Sequence, residues 1–352
     1  MTETEHYETI DMPFYHNEIK PLLPDEVLDF HAHIWSKKHW KTVPFEDGSP
    51  GANYMVAATE YPVEQLLADS SRILPGKTYK AVCFGYPAPA ADIGLTNNYT
   101  ATAVENRNLF PLMLAGKGLS SAELLEKELI GKGFYGYKVF LNWFGDNYGN
   151  ISIEDMLSEV EMKIADKYRL IVLLHVPQSG RLTDPVIQAG VKRLSGEYPE
   201  ARIVLAHCGR CYLPDQMKNA VKAIKNLDNV YLDSSMVMEP LTLQILLEEI
   251  DSSRFVFGTD FPIPSMRGRR VYVMDHWVDL VLTGCEESAF RVQSDNFRAS
   301  FMVYEIILAI RRAAERLKLS EKKLKEIFYE NGMKLLETVT VPGCKIAPKP
   351  AK

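Results

Sequence analysis

The sequence predicts an α/β fold, a (β/α)8 TIM barrel with an insertion after strand 1 and additional C-terminal helices. Two observations carry this expectation. Eight short β-rich runs alternate with longer amphipathic stretches. Most of those runs are almost continuously apolar, as strands are when helices cover both faces of a parallel sheet. Fewer repeats would suit an open doubly wound sheet; eight favour closure into a barrel.

The first strand is EVLDFHAH (26–33). An insertion follows over 34–77, with a short helix around VEQLLADS. The other strands are TYKAVCFGY (78–86), NLFPLML (108–114), FYGYKVFL (134–141), LIVLLHV (170–176), ARIVLAHC (201–208), NVYLDSS (229–235) and RFVFGTDF (254–261). Between them, SIEDMLSEVEMKIADKY reads as one helix. Ile153, Met156, Leu157, Val160 and Ile164 make its apolar stripe, and Ser152 is placed to cap its start. LPDQMKNAVKAI and PLTLQILLEEI each carry a proline near a helix beginning. After the eighth strand come a basic loop and several helices, including NFRASFMVYEIILAIRRAAERL and SEKKLKEIFYENGMKLLE. In the second, Leu324, Ile327 or Phe328, Asn331 and Leu335 share a face. The expected division is an N-terminal extension over 1–25, the barrel over 26–338, and a proline- and lysine-rich tail over 339–352.

Composition narrows the class. Hydrophobic residues make up 46% and charged residues 24%, which is globular rather than disordered. The net charge of -6 offers no bulk attraction to nucleic acid or to an anionic membrane. The opening MTETEHYETIDM lacks the basic start and apolar run of a signal peptide. No uninterrupted apolar run approaches the ~18 residues of a membrane span. The five cysteines (Cys83, Cys208, Cys211, Cys285 and Cys344) are odd in number and sparse, which fits a reduced, cytoplasmic enzyme. Cys208 and Cys211 have no second CxxC to complete a structural zinc site.

Histidine is scarce, with 8 in 352 residues, so its placement is informative. Side chains alternate along a strand, so His31 and His33 point to one face. His175, His207 and Asp260 each fall at the C-terminal end of an expected strand, the end where barrels of this kind carry chemistry. Three imidazoles and a carboxylate can meet one borderline-soft divalent ion and leave room for water. Each residue alone has an ordinary structural explanation; five at one end of a barrel do not.

Taken together, DFHAHIW, GYKVF, LLHV, LAHCGR, FGTDFP and IFYENGMKLL resemble the metal-dependent amidohydrolase superfamily. The resemblance is to its amidohydrolase-related branch, which includes aminocarboxymuconate-semialdehyde decarboxylase-like enzymes, and spans roughly residues 26 to 338. It implies one catalytic divalent ion, usually zinc, held by His31, His33, His175 and Asp260. His207 would stand beside the substrate, and Asp260 would also move the proton. It also implies a small-molecule substrate, and a homodimer as the expected assembly. Some relatives bridge two metals with a carbamylated lysine on the fourth strand. Lys138 lies near that place, but this branch is generally mononuclear, so one ion is expected.

Residues expected to contact substrate or support the site are Lys138, Arg210, Arg267, Trp35, Tyr86 and Trp143. The arginines would suit an anionic, carboxylated substrate, since their donors form a rigid fork. The leading functional expectation is hydrolysis of a lactone, ester or amide by metal-activated water. The alternative is non-oxidative, metal-dependent decarboxylation of an unsaturated or aromatic acid. Against it stands the lack of any arginine between His33 and Arg72, where decarboxylase-like relatives carry one. A metal-binding scaffold without catalysis is the third reading.

Overall fold

All eight expected strand segments form strands, and β1 covers Glu26–His33 as expected. The computed structural model describes residues 2–41, 60–86, 89–144, 148–282, 289–291 and 298–344. Cys285, much of the insertion (42–59) and the end of the tail (345–352) lie outside them. β2 is Thr78–Phe84. The run NLFPLML divides into β3, Leu109–Pro111, and β4, Met113–Leu114. The others are β5 Gly136–Val139, β6 Ile171–Leu174, β7 Arg202–Leu205, β8 Val230–Asp233 and β9 Phe255–Val256.

These strands are parallel neighbours in two sheets, β1-β2-β3 and β4-β5-β6-β7-β8-β9. The chain after β9 returns to the free side of β1. Phe30 N donates to Phe257 O at 2.8 Å, His33 N to Phe261 O at 3.0 Å, and Asp260 N to His31 O at 2.8 Å. The two ends of the strand series therefore meet at the DFHAH segment. A Cβ on Gly258 would sit 3.1 Å from His31 Cβ, so glycine permits this close approach.

Helices cover the strands, including Val63–Ile73, Pro185–Glu197, Pro214–Ile224 and Pro240–Glu249. One core cluster joins Leu28, Phe30, Phe84, Leu173 and Val204 to Met333, Leu335 and Leu336 of the last helix. A larger one lies between the strands and the surrounding helices. No described helix is long and apolar enough to cross a membrane.

Three expectations need correction. The single helix through SIEDMLSEVEMKIADKY is two, Ile153–Met156 and Glu159–Tyr168. Ser158 caps the second one, reciprocally with Glu161, and Val160 is left exposed. That capping box competes with continuation of the apolar stripe and wins. The late helix also breaks, into Glu321–Phe328 and Glu330–Glu337, because Tyr329 leaves helical geometry at φ -148 and ψ -64. The basic loop holds a small sheet: antiparallel β10 Gly268–Val273 and β11 His276–Val281, with β12 Ala289–Arg291 parallel to β11. Arg270 folds onto Asp279 within this hairpin, at 2.9 and 2.8 Å. A loop reading from charge alone misses it.

The N-terminal segment is helical from Glu3 to Leu22, with wider turns at Tyr7–Asp11 and Tyr15–Ile19. It buries Tyr15 and Ile19 in the main core and seats Asp11, fully buried, against Arg267.

Candidate metal centre

Three side chains from distant parts of the sequence converge. One donor atom from each of His31, His207 and Asp260 lies within 4.8 Å of the other two, and all three residues are buried. His31 comes from β1, His207 follows β7, and Asp260 follows β9, so the grouping exists only once the strands are side by side. Asp260 and His207 both have left-handed backbones, at φ 79 and φ 54. Non-glycine residues rarely accept that geometry, and such strain concentrates where side chains must be aimed.

His33 joins the group through Asp260. Asp260 Oδ1 lies 3.2 Å from His33 Nε2 and 3.3 Å from His31 Nε2. The opposite nitrogens fix the proton positions. His31 Nδ1 is 2.8 Å from the Asp233 carboxylate, and His33 Nδ1 is 3.1 Å from the Gly85 carbonyl. Both partners are acceptors, so both Nδ1 atoms carry the hydrogen and both Nε2 atoms present lone pairs. Burial pushes all of these imidazoles toward the neutral form, His31 to about 3 and His33 and His207 downward. Asp260 is held at about 2: burial opposes its ionisation, but His31, His207 and His33 around it outweigh that.

The result is a cluster of lone pairs with too few hydrogens to share. His33 Nε2 and Asp260 Oδ1 are buried and lack a hydrogen-bond partner among the described residues. Buried acceptors left facing one another are costly, and a cation between them removes that cost. The donor set of imidazole nitrogens and carboxylate oxygen suits a divalent ion of zinc's type. The residues present therefore fit one metal ion.

Lys138 on β5 reaches into the same space. It is fully buried, its Nζ lies 3.1 Å from His31 Nε2, and the Phe84 ring is 4.7 Å from it. Burial lowers its amine to about 8, against the pull of Asp233 and Asp260. His175 follows β6 and stands beside the group, its ring 5.1 Å from that of His207 and 4.7 Å from Phe140. Its Nδ1 also has no partner among the described residues.

The other expected residues are placed variously. Arg210 Nη1 donates to the carbonyls of Val176 and Gln178, at 3.1 and 3.2 Å, bracing the loop beyond His175. Arg267 is drawn to the N-terminal helix, with Nε 2.8 Å from Asp11 Oδ2 and Nη1 2.6 Å from Glu3. Trp35 is fully buried between Tyr61 and Tyr86, with ring separations of 5.7 and 5.0 Å, and Tyr86 is itself buried. Trp143 is half-buried and its Nε1 has no partner among the described residues.

Sequence reading missed Asp233, Ser235, Phe84, Phe140 and Tyr212. Phe84 meets His31 and His33 edge-on at 5.1 and 4.5 Å, and Tyr212 lies 6.2 Å from the His207 ring. The signal for Asp233 and Ser235 was present, since NVYLDSS turns polar at the same strand end as the other site residues.

Residues 28–337 match the protein-family model described as Amidohydrolase. No curated protein sequence matches the chain significantly. Among solved structures, 5-carboxyvanillate decarboxylase from Sphingomonas paucimobilis is similar with a TM-score of 0.57 at 11% identity, covering 89% of this chain and 99% of that one. 2,6-Dihydroxybenzoate decarboxylase from Rhizobium gives 0.53 at 13%, covering 90% and 99%. A probable 2-pyrone-4,6-dicarboxylic acid hydrolase from Acinetobacter baumannii gives 0.54 at 14%, covering 88% and 99%. At these identities the likeness is one of fold.

Proposed function

The chain belongs to the Amidohydrolase family, and from that premise we propose that it is a metal-dependent decarboxylase of a small aromatic or unsaturated carboxylic acid. The observation that carries this reading is a buried site walled by aromatic rings. Phe84 and Phe140 flank His33, at 4.5 and 6.5 Å, and Tyr212 adjoins His207. Ring edges of this kind accept a flat, conjugated substrate. Decarboxylation consumes no water, and burial of the site favours conversion of a carboxylate into neutral carbon dioxide. The similarity to two aromatic-acid decarboxylases agrees with this reading. It reverses the order of preference that the missing arginine suggested.

His31, His207 and Asp260 hold the ion in this proposal, with His33 and His175 completing the set, and zinc is the metal proposed. When bound, the ion supplies Lewis-acid polarisation of a substrate oxygen. Lys138 adds positive charge beside the substrate's anionic group. Asp260, ionised at rest, keeps Oδ1 toward the histidines, and its Oδ2 relays a proton drawn from solvent. The bond to the carboxyl carbon breaks, carbon dioxide leaves, the electron pair stays on the ring or vinyl carbon, and that carbon takes the proton. We further propose that the strand series closes into a (β/α)8 barrel and that residues 26–338 act as one catalytic unit.

Hydrolysis of a lactone or ester is the second reading, favoured by the similarity to the probable 2-pyrone-4,6-dicarboxylic acid hydrolase. The two separate in one experiment. The metal-loaded protein is given hydroxylated benzoates, unsaturated diacids and carboxylated lactones, with carbon dioxide and ring-opened acid measured together. Carbon dioxide release supports the proposal; ring opening without it overturns the proposal in favour of hydrolysis.

A further inference from the structure

Two rings of the metal centre share one supporting element, the short segment at the C-terminal end of β8. Asp233 Oδ2 lies 2.8 Å from His31 Nδ1. Asp233 Oδ1 accepts from His207 N at 2.8 Å and from Ser235 N at 3.0 Å. Ser235 Oγ lies 2.8 Å from His207 Nδ1 and 3.1 Å from His31 Nδ1, and donates to Asp233 Oδ1. The Ser235 carbonyl lies 3.2 Å from His207 Nδ1. Asp233, Ser234 and Ser235 are all fully buried, so no water competes for these bonds from outside.

Proton counting gives this network a direction. A carboxylate and a carbonyl only accept. His31 Nδ1 faces the first and His207 Nδ1 faces the second, so each must carry its hydrogen there. The single Ser235 hydroxyl proton goes to Asp233, which leaves the serine oxygen to accept from His207. Both Nε2 atoms are then without hydrogen; His31 Nε2 lies 3.3 Å from Asp260 Oδ1, and His207 belongs to the same group of donors. A change at Asp233 releases one ring directly and the other through Ser235.

We propose that Asp233 and Ser235 form a shared positioning pair that locks His31 and His207 together in the Nδ1–H tautomer and so sets the protein's affinity for its metal. The proposal rests on the metal centre and not on the reaction assigned to it. Neither residue touches the ion or the substrate; each acts through an imidazole. Carboxylates that orient metal-binding histidines commonly contribute about 10- to 100-fold in affinity.

The test uses the full-length protein. Affinity for zinc alone is measured by competition with a chromophoric chelator in wild type, Asp233→Asn and Ser235→Ala. The tautomers of His31 and His207 are read by nitrogen NMR on metal-free, histidine-labelled protein. Asp233→Asn places an amide where His31 needs an acceptor, and its affinity should fall by about 10- to 100-fold. Ser235→Ala keeps the carbonyl acceptor and should lose less. Because Asp233→Asn disturbs several buried bonds and so puts folding at risk, the wild-type tautomers and Ser235→Ala carry the test independently. Either ring bearing its hydrogen on Nε2 in the wild type would overturn the proposal. So would a folded Ser235→Ala protein with both wild-type affinity and wild-type tautomers. An altered substrate preference would bear on the proposed reaction and leave this inference standing.

Discussion

Lys138 Nζ lies 3.1 Å from His31 Nε2, the nitrogen whose lone pair points into the metal centre. A buried ammonium there supplies positive charge to the cluster of lone pairs, and it occupies a direction that an incoming ion needs. Lys138→Met should therefore bind one metal ion per chain with unchanged or tighter affinity, while turnover falls by roughly 10-fold or more through loss of a charge beside the reacting group. Elemental analysis and steady-state rates separate the two effects. If the variant instead lost one of two ions found in the wild type, Lys138 would be the bridging ligand of a two-metal centre.

The ligand group makes a second prediction. His31→Ala, His207→Ala and Asp260→Ala should each leave a folded protein with little bound metal, since their donor atoms lie mutually within 4.8 Å. His207 is the discriminating case. The family resemblance puts it beside the substrate, whereas the structure puts it in the ligand group. Full metal content in folded His207→Ala, with turnover lost, would restore the substrate-side role.

Much of this architecture is legible because apolar strand runs and histidine spacing are local signals. β1 can be read residue by residue, and His31 and His33 share a face by alternation alone. What escapes is non-local. Nothing near Asp233 in the chain reveals that His31, some two hundred residues earlier, lies against it. The helix break at Tyr329 carries neither proline nor glycine to announce it. Ser158 did carry a signal, the capping pair with Glu161, but the apolar stripe obscured it. Arg267 was legible as a basic residue near the expected site, and only the fold shows that Asp11 and Glu3 engage it.

Asp29 supplies a third prediction. It sits two residues before His31, and its carboxylate accepts from His31 N and Thr259 N at 2.9 Å and from Tyr79 Oη at 2.7 Å. Thr259 Oγ1 adds a fourth bond at 2.5 Å. This one side chain stitches β1 to the segment bearing Asp260. Asp29→Ala strands three buried donors and the half-buried Tyr79 hydroxyl, so it should destabilise the fold by about 3 kcal/mol or more. Because the stitch is independent of any ion, thermal unfolding of the metal-free protein should show the loss. An unchanged Tm in the metal-free variant would mean that water or a neighbouring group replaces the carboxylate.

Arg267 distinguishes support of the fold from support of the substrate. Its Nε and Nη2 both donate to Asp11 Oδ2, at 2.8 and 2.5 Å, and Ser300 Oγ donates to the other Asp11 oxygen at 2.7 Å. Asp11 is fully buried, so Arg267→Met leaves a carboxylate there with its cation removed. Breaking one side of a buried pair typically costs about 3–5 kcal/mol. The N-terminal helix should then loosen, the Tm should drop, and proteases should cut within the first twenty or so residues. Double substitution with Asp11→Leu should recover part of the lost stability, because it removes the stranded charge along with the arginine. Metal content and KM should stay near wild type in the folded fraction. A large rise in KM with the Tm unchanged would return Arg267 to the role of substrate anchor.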